Sequence, residues 1–196
     1  MNSLINDIDK LKKEPRVFDD VISKTDVAML YRTLLTFSYK QGHKSSVKQE
    51  FYETAFVHYY DNEKIKEMSF YKKVKQKIEE ELNFNLILEK AYVHSYGLDQ
   101  KTLIHADNST PTVMLYCNPN WQFFWGGETI LYDDDMEIKK VIVPRAGRVA
   151  IFDGNTLHCG RSTTLQAPDR RYAIAFKFLF ADSEGNPEKQ NKELIL

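Results

Sequence analysis

Apolar side chains recur at helical spacing through Val27, Leu30, Tyr31, Leu34 and Leu35, with Ser38 next on the same face. The spacing predicts a helix over that stretch. Ser23 or Thr25 stands where an N-cap belongs, and Gly42 where the helix can end. A second stripe, Tyr71, Val74, Ile78 and Leu82, predicts a helix running from about Asn62 to Leu82. Lys72, Lys73, Lys75, Lys77, Glu79, Glu80 and Glu81 form its solvated side. Between the two, Phe51 to Tyr60 is rich in aromatic and β-branched residues and reads as a strand or a loop. Arg16 to Phe18 reads as a short edge strand.

Near residue 85 the period changes from helical to alternating. Asn85–Tyr96, Pro111–Asn118, Glu128–Tyr132, Lys139–Val143, Arg148–Phe152 and Arg171–Phe180 are β-like runs. Turn residues separate them: Asn118–Pro119–Asn120, Gly126–Gly127, Asp133–Asp134–Asp135, Pro144 to Gly147, and Asp153–Gly154–Asn155. Short strands punctuated in this way predict a sandwich or jelly roll. Helices first and strands after predict an α+β fold, with helices packed on one sheet face. The expected organisation is one domain over 1–196: mainly helical support over 1–84, a β core over 85–180 and a polar tail over 181–196. A chain of 196 residues is long enough to bury its own core.

Composition narrows the function. Lys plus Arg total 27 against 28 for Asp plus Glu, a net charge of −1, so no basic field exists to hold nucleic acid or an anionic membrane. No apolar stretch has the length of a signal peptide or a bilayer span. Two cysteines, Cys117 and Cys159, exclude a disulfide scaffold and the zinc modules built on Cys pairs. The expected setting is reduced and cytoplasmic, with no nucleic-acid or membrane partner. Asp133–Asp135 lacks the alternating oxygen spacing of a calcium loop and reads as an acidic hairpin turn.

Five histidines occur, and His43, His58 and His94 sit in no ligand pattern. His105–Ala106–Asp107 lies between two β-like runs, and His158 follows the run Arg148–Phe152. Two imidazoles and one carboxylate on one face of an octahedral ion leave positions open, a pattern suited to non-haem Fe(II). A chelating 2-oxo acid fits two of those positions and dioxygen the last. A dicarboxylic cosubstrate then needs a fixed cation at its far end, and a guanidinium binds a carboxylate through two hydrogen bonds. Arg171, at the start of the last strand, is that candidate. Alternation along the strand would turn Ala173, Ala175 and Lys177 to the same side as Arg171, and Tyr172, Ile174, Phe176 and Phe178 to the helices. Tyr116 inward brings Met114 inward and turns Cys117 out; His158 inward turns Cys159 away.

The ordered set His105-x-Asp107, Tyr116 within Thr112–Asn118, Trp125–Gly126–Gly127–Glu128–Thr129, Pro144–Phe152, His158 and Arg171–Tyr172–Ala173–Ile174 resembles the Fe(II)- and 2-oxoglutarate-dependent dioxygenases, in their prolyl 4-hydroxylase-like branch. The resemblance implies a double-stranded β-helix (jelly-roll) core with supporting N-terminal helices. It implies Fe(II), 2-oxoglutarate and O2 as cofactor and cosubstrates, and hydroxylation of a small molecule or peptide side chain with release of succinate and CO2. Carried over residue by residue, His105, Asp107 and His158 are the expected iron ligands. Arg171, with Tyr116 and Tyr96, is the expected 2-oxoglutarate site. Lys177 and Trp125 are candidate substrate-pocket residues. Arg171 stands where collagen-type prolyl 4-hydroxylases use Lys, and Lys177 where they carry an inward aromatic. These departures point away from peptidyl proline and toward an anionic substrate. A register slip of one would put Arg170 in the place of Arg171. Two other readings stay open: a non-catalytic jelly-roll binder of carbohydrate or protein, motivated by the aromatic segment 121–125, and a metal-dependent jelly-roll enzyme that uses no 2-oxo acid.

Overall fold

A computed structural model describes residues 10, 11, 13–42, 54–107, 111–181 and 185–187. His43, residues 51–53 of the strand-or-loop segment and most of the polar tail lie outside the described residues. Ten strands and three α-helices are described, in the order β1 (Arg16–Phe18), α1 (Lys24–Leu34), β2 (Lys40–Gln41), β3 (Phe56–Tyr59), α2 (Asn62–Lys66), α3 (Ser69–Leu82), β4 (Leu86–Tyr96), β5 (Thr112–Tyr116), β6 (Thr129–Tyr132), β7 (Ile138–Ile142), β8 (Val149–Phe152), β9 (His158–Gly160) and β10 (Arg171–Phe180). A single 3-10 turn, Phe123–Trp125, precedes β6. Among the described residues, no helix is long and apolar enough to cross a membrane.

The strands form two antiparallel sheets. The large one runs β1-β8-β5-β10-β4-β3-β2 and the small one β7-β6-β9. Two sheets joined by repeated crossings make the double-stranded β-helix the sequence predicts, and Arg16–Phe18 is indeed an edge strand, paired with β8. The alternation of β10 holds. Tyr172, Ile174, Phe176, Phe178 and Phe180 join Val74, Ile78 and Leu82 of α3 in one core between helices and sheet. Ala173, Ala175, Met114, Tyr116, Ala150 and Phe152 join Leu131 and Ile142 of the small sheet in a second core inside the barrel. Cys117 falls in the outer core and Tyr116 in the inner one, as alternation requires.

Three boundaries differ from the pattern reading. The first helix ends at Leu34, not at Gly42, because Thr36 Oγ1 donates to Thr33 O and Phe37 N to Leu34 O, closing the last turn tightly. Ser23, not Thr25, is its cap, accepting from Asp26 N at 3.0 Å. The second helical stretch is two helices, because Met68 is extended (φ −74°, ψ 134°) and starts a new helix at Ser69. Asp61 caps the first of them through Glu63 N and Lys64 N. Ala181 still donates to Asn85 O and bridges Pro187, so the tail begins later than residue 181. The acidic triplet is the hairpin turn between β6 and β7, with Asp133 Oδ1 accepting from Asp135 N and Glu137 N.

Candidate active site

The two candidate histidine ligands face each other across a single antiparallel bridge. His105 N donates to His158 O at 3.0 Å and His158 N to His105 O at 2.8 Å. Directly opposed residues present their side chains on the same face, and the imidazole centroids lie 4.4 Å apart. Asp107 is fixed by its own backbone, whose N donates to Gly154 O at 2.7 Å. One ligand atom from each of His105, Asp107 and His158 lies within 4.8 Å of the others, a spacing fit for a metal ion. His105 Nε2 is 3.8 Å from Asp107 Oδ1, and His158 Nε2 is 3.4 Å from Asp107 Oδ2.

The imidazole tautomers follow from the backbone. His105 Nδ1 lies 2.7 Å from Leu103 O, and His158 Nδ1 2.7 Å from Thr156 O. A carbonyl only accepts, so Nδ1 carries the proton in both rings and the Nε2 lone pairs are left for a metal. Burial, then the neighbouring His158, push the pKa of His105 down to about 3, so the ring is neutral near pH 7. Burial alone would raise Asp107; Lys177 and then His158 outweigh it and hold the carboxyl well below the usual carboxylate range. A neutral His105 beside an ionised Asp107 suits ferrous iron, whose ligands must be deprotonated.

Arg171 points into the barrel and is wholly buried. Its guanidinium lies 4.7 Å from the Tyr96 ring and 5.1 Å from the Tyr116 ring. Nη2 donates to Thr129 Oγ1 at 3.1 Å, and Tyr116 OH donates to the same oxygen at 2.8 Å. Nε and Nη1 are buried with no hydrogen-bond partner. A buried guanidinium with two unpartnered nitrogens is costly unless an anion meets it, and the C5 carboxylate of 2-oxoglutarate fits that donor set. Gly127 (φ +77°) backs this residue so closely that a Cβ there would lie 3.1 Å from Arg171 Cγ. Arg170 turns the other way: its Nε donates to Ser95 Oγ at 2.6 Å and its guanidinium covers the Phe56 ring. The register is therefore the one that turns Arg171 inward.

Lys177 also faces inward, but it is not at an open mouth. It is 2% exposed and bonds Asp107 Oδ2 and, at 3.2 Å, Thr112 Oγ1. Trp125 sits on the 3-10 turn, edge-on to Trp121 at 5.5 Å. Cys159 turns away from the candidate metal ligands toward Tyr132 OH, 3.6 Å from its Sγ. Pattern reading missed Thr129 and Thr112, which bind Arg171 and Asp107. It also set aside His94, which lines the inward face between the rings of Tyr92 (4.9 Å) and Tyr96 (5.2 Å). Only the inward alternation of β4 signals His94, and nothing in the residue type signals the two threonines.

Residues 91–178 match the family described as the 2OG-Fe(II) oxygenase superfamily. No curated protein matches the chain. Among solved structures, the chain is similar to the viral collagen prolyl hydroxylase of Paramecium Bursaria Chlorella virus-1, solved as a 2OG complex, at 16% identity and TM-score 0.61, over 84% of this chain and 94% of that one. It is similar to the prolyl hydroxylase of Trichoplax adhaerens, solved with a hypoxia inducible factor peptide fragment, at 18% identity and TM-score 0.63, over 90% and 87%. The alpha-ketoglutarate-dependent epimerase SnoN from nogalamycin biosynthesis aligns at 13% identity and TM-score 0.65, over 92% and 83%. The fold is thus shared by hydroxylases and an epimerase. The match to the 2OG-Fe(II) oxygenase superfamily covers residues 91–178, and the fold of the chain is prolyl 4-hydroxylase-like in its architecture. The chain is a dioxygenase that uses Fe(II), 2-oxoglutarate and O2.

Proposed function

We propose that the chain hydroxylates a small molecule or a peptide side chain, converting 2-oxoglutarate to succinate and CO2 in the same turnover. His105, Asp107 and His158 hold the iron, and Arg171 holds the far carboxylate of 2-oxoglutarate. Bound there, the iron supplies dioxygen activation and the 2-oxo acid supplies two electrons. The chain's own residues do the rest. Leu103 O and Thr156 O keep the Nδ1 protons in place, so both imidazoles present Nε2. Thr129 ties Arg171 to Tyr116, which fixes the guanidinium against the tyrosine rings. Tyr96, Tyr116 and Phe152 are buried and keep water from the inner wall. The small side chains Ala173 and Ala175 leave the width a cosubstrate needs beside them.

The observation that carries this reading is one barrel holding both the His-Asp-His group and a buried guanidinium with two unpartnered donors. A binding domain without catalysis gives the first no role, and a metal enzyme without a 2-oxo acid gives the second none. Both cysteines are unpaired thiols, which supports a reducing, cytoplasmic setting. The choice of peptide as one substrate class draws on the prolyl hydroxylases among the structural neighbours. The test is an anaerobic titration of 2-oxoglutarate into the Fe(II)-loaded protein. A weak visible charge-transfer band should grow to saturation, and should be absent in His105→Ala and Asp107→Ala. No band in the wild type would remove 2-oxoglutarate from the proposal. Succinate release across amino acids, peptides and nucleotide sugars then sorts the substrate.

A further inference from the structure

We infer that Lys177 is a built-in counter-cation for Asp107: it balances that carboxylate in the metal-free protein and shares it with the metal afterwards, so it holds the affinity for divalent ions down. The inference rests on the metal-centre reading above.

The arrangement is built by the sheet. Lys177 lies directly opposite Thr112 of β5 in the β10–β5 register. It ends the inward row that begins at Arg171 and continues through Ala173 and Ala175. Thr112 Oγ1 donates to Asp107 Oδ2 at 2.6 Å, and Lys177 Nζ donates to that same oxygen. Lys177 also donates to Thr112 Oγ1, closing a three-membered cluster whose members are each under 5% exposed. A lysine buried to this depth needs a carboxylate partner. Here the partner is itself a metal ligand.

Both carboxylate oxygens face the histidines: Oδ1 lies 3.8 Å from His105 Nε2, and Oδ2, which the two donors engage, 3.4 Å from His158 Nε2. A fixed ammonium on a ligand repels an incoming dication, while it removes the cost of an unbalanced carboxylate before the dication arrives. Both effects weaken metal binding relative to a neutral residue of the same size. A lysine that merely positioned Asp107 would act in the opposite sense, since loss of a positioning partner weakens metal binding.

The test compares wild type, Lys177→Met, Lys177→Arg, Asp107→Asn and the double variant Lys177→Met/Asp107→Asn. Thermal unfolding of the metal-free full chain is measured for each. Co(II) binding is measured by calorimetry for wild type and the two Lys177 variants. Lys177→Met and Asp107→Asn should each melt below wild type, and the double variant should lose less than their sum. Co(II) should bind Lys177→Met roughly tenfold or more tightly than wild type, and saturating Co(II) should remove most of its melting deficit. Lys177→Arg should stay near wild type in both. Unchanged or weaker Co(II) binding by Lys177→Met overturns the inference, as do additive melting losses. If Lys177→Met does not fold, the double variant decides: a folded double variant supports the charge pairing, and an unfolded one overturns it. A wild-type chain that takes up no Co(II) overturns the metal-centre reading instead. The thermal cycle, which needs no metal, then still judges the pair.

Discussion

Arg171 is wholly buried, and two of its guanidinium nitrogens, Nε and Nη1, have no hydrogen-bond partner in the protein. Its side chain is held by an oxygen, two rings and a glycine, so it is set in place before any anion arrives. Arg171→Ala should therefore act on cosubstrate binding first, at about 2–5 kcal/mol for a desolvated charge pair. The measurement is the KM for 2-oxoglutarate in a succinate assay. An unchanged KM would mean the carboxylate binds elsewhere. His105 contributes an acid sensitivity that begins near neutral pH. Its folded pKa is about 3, set by burial first and by His158 second, while an unfolded histidine titrates near 6.5. Between those values the unfolded chain takes a proton that the folded one refuses, so stability rises with pH. The contribution is whole above about pH 6.5 and is lost as pH falls toward 3, up to about 1.4 kcal/mol per pH unit. Urea unfolding of the metal-free protein at pH 7 and pH 5 reads it. A His105→Gln variant with the wild-type pH slope would assign the effect to another group.

At the scale of elements, β10 is the shared wall of both cores. Phe176 on its outer face lies against Tyr71 of α3, with ring centroids 5.8 Å apart. Phe176→Ala should cost about 3–5 kcal/mol of unfolding free energy, read by denaturant titration, and should leave metal binding by the folded fraction unchanged. Gly160, in β9, tests the inner side. A Cβ there would fall 2.3 Å from the Tyr96 ring, so Gly160→Ala should displace that ring and raise the KM for 2-oxoglutarate. A wild-type KM would show that Tyr96 does not shape the cosubstrate site. The same elements show what a sequence reveals. The long strands β4 and β10 were legible because each buries one side chain in two on each core, which imposes the alternating pattern. β9 was not, because His158–Gly160 is too short to carry a period. The break at Met68 was invisible for a different reason. The apolar stripe continues through Ile65 and Tyr71 on either side of it, so periodicity reads one helix where the backbone makes two.

Across the whole molecule, the candidate metal ligands were legible and their supports were not, for one physical reason. A His-x-Asp with a distant histidine is chemically rare enough to stand out, whereas threonine is common at any strand position. Thr112 and Thr129 acquire their roles only when β5 and β6 are brought against β10 and the barrel interior closes. The position of Lys177 was predicted by alternation, but its burial against Asp107 depends on the loop that carries Asp107. That loop also sets the last expectation. His105 and Asp107 lie on the segment that meets β9 through the His105–His158 bridge and through Thr102, whose N donates to Gly160 O at 3.1 Å. Side-chain ligation by one ion adds a further link between β9 and the segment before β5. An ion that binds the folded chain alone raises stability by mass action, by about 2.7 kcal/mol at a hundredfold excess over its Kd. Thermal unfolding with Co(II), then with chelator, should show a rise and its reversal. Amide exchange should slow at residues 98–107 and 154–160 more than in α3, because the added link joins those two segments. Uniform slowing across the chain would place the stabilisation in global unfolding, and no rise at all would remove His105, Asp107 and His158 as a metal centre.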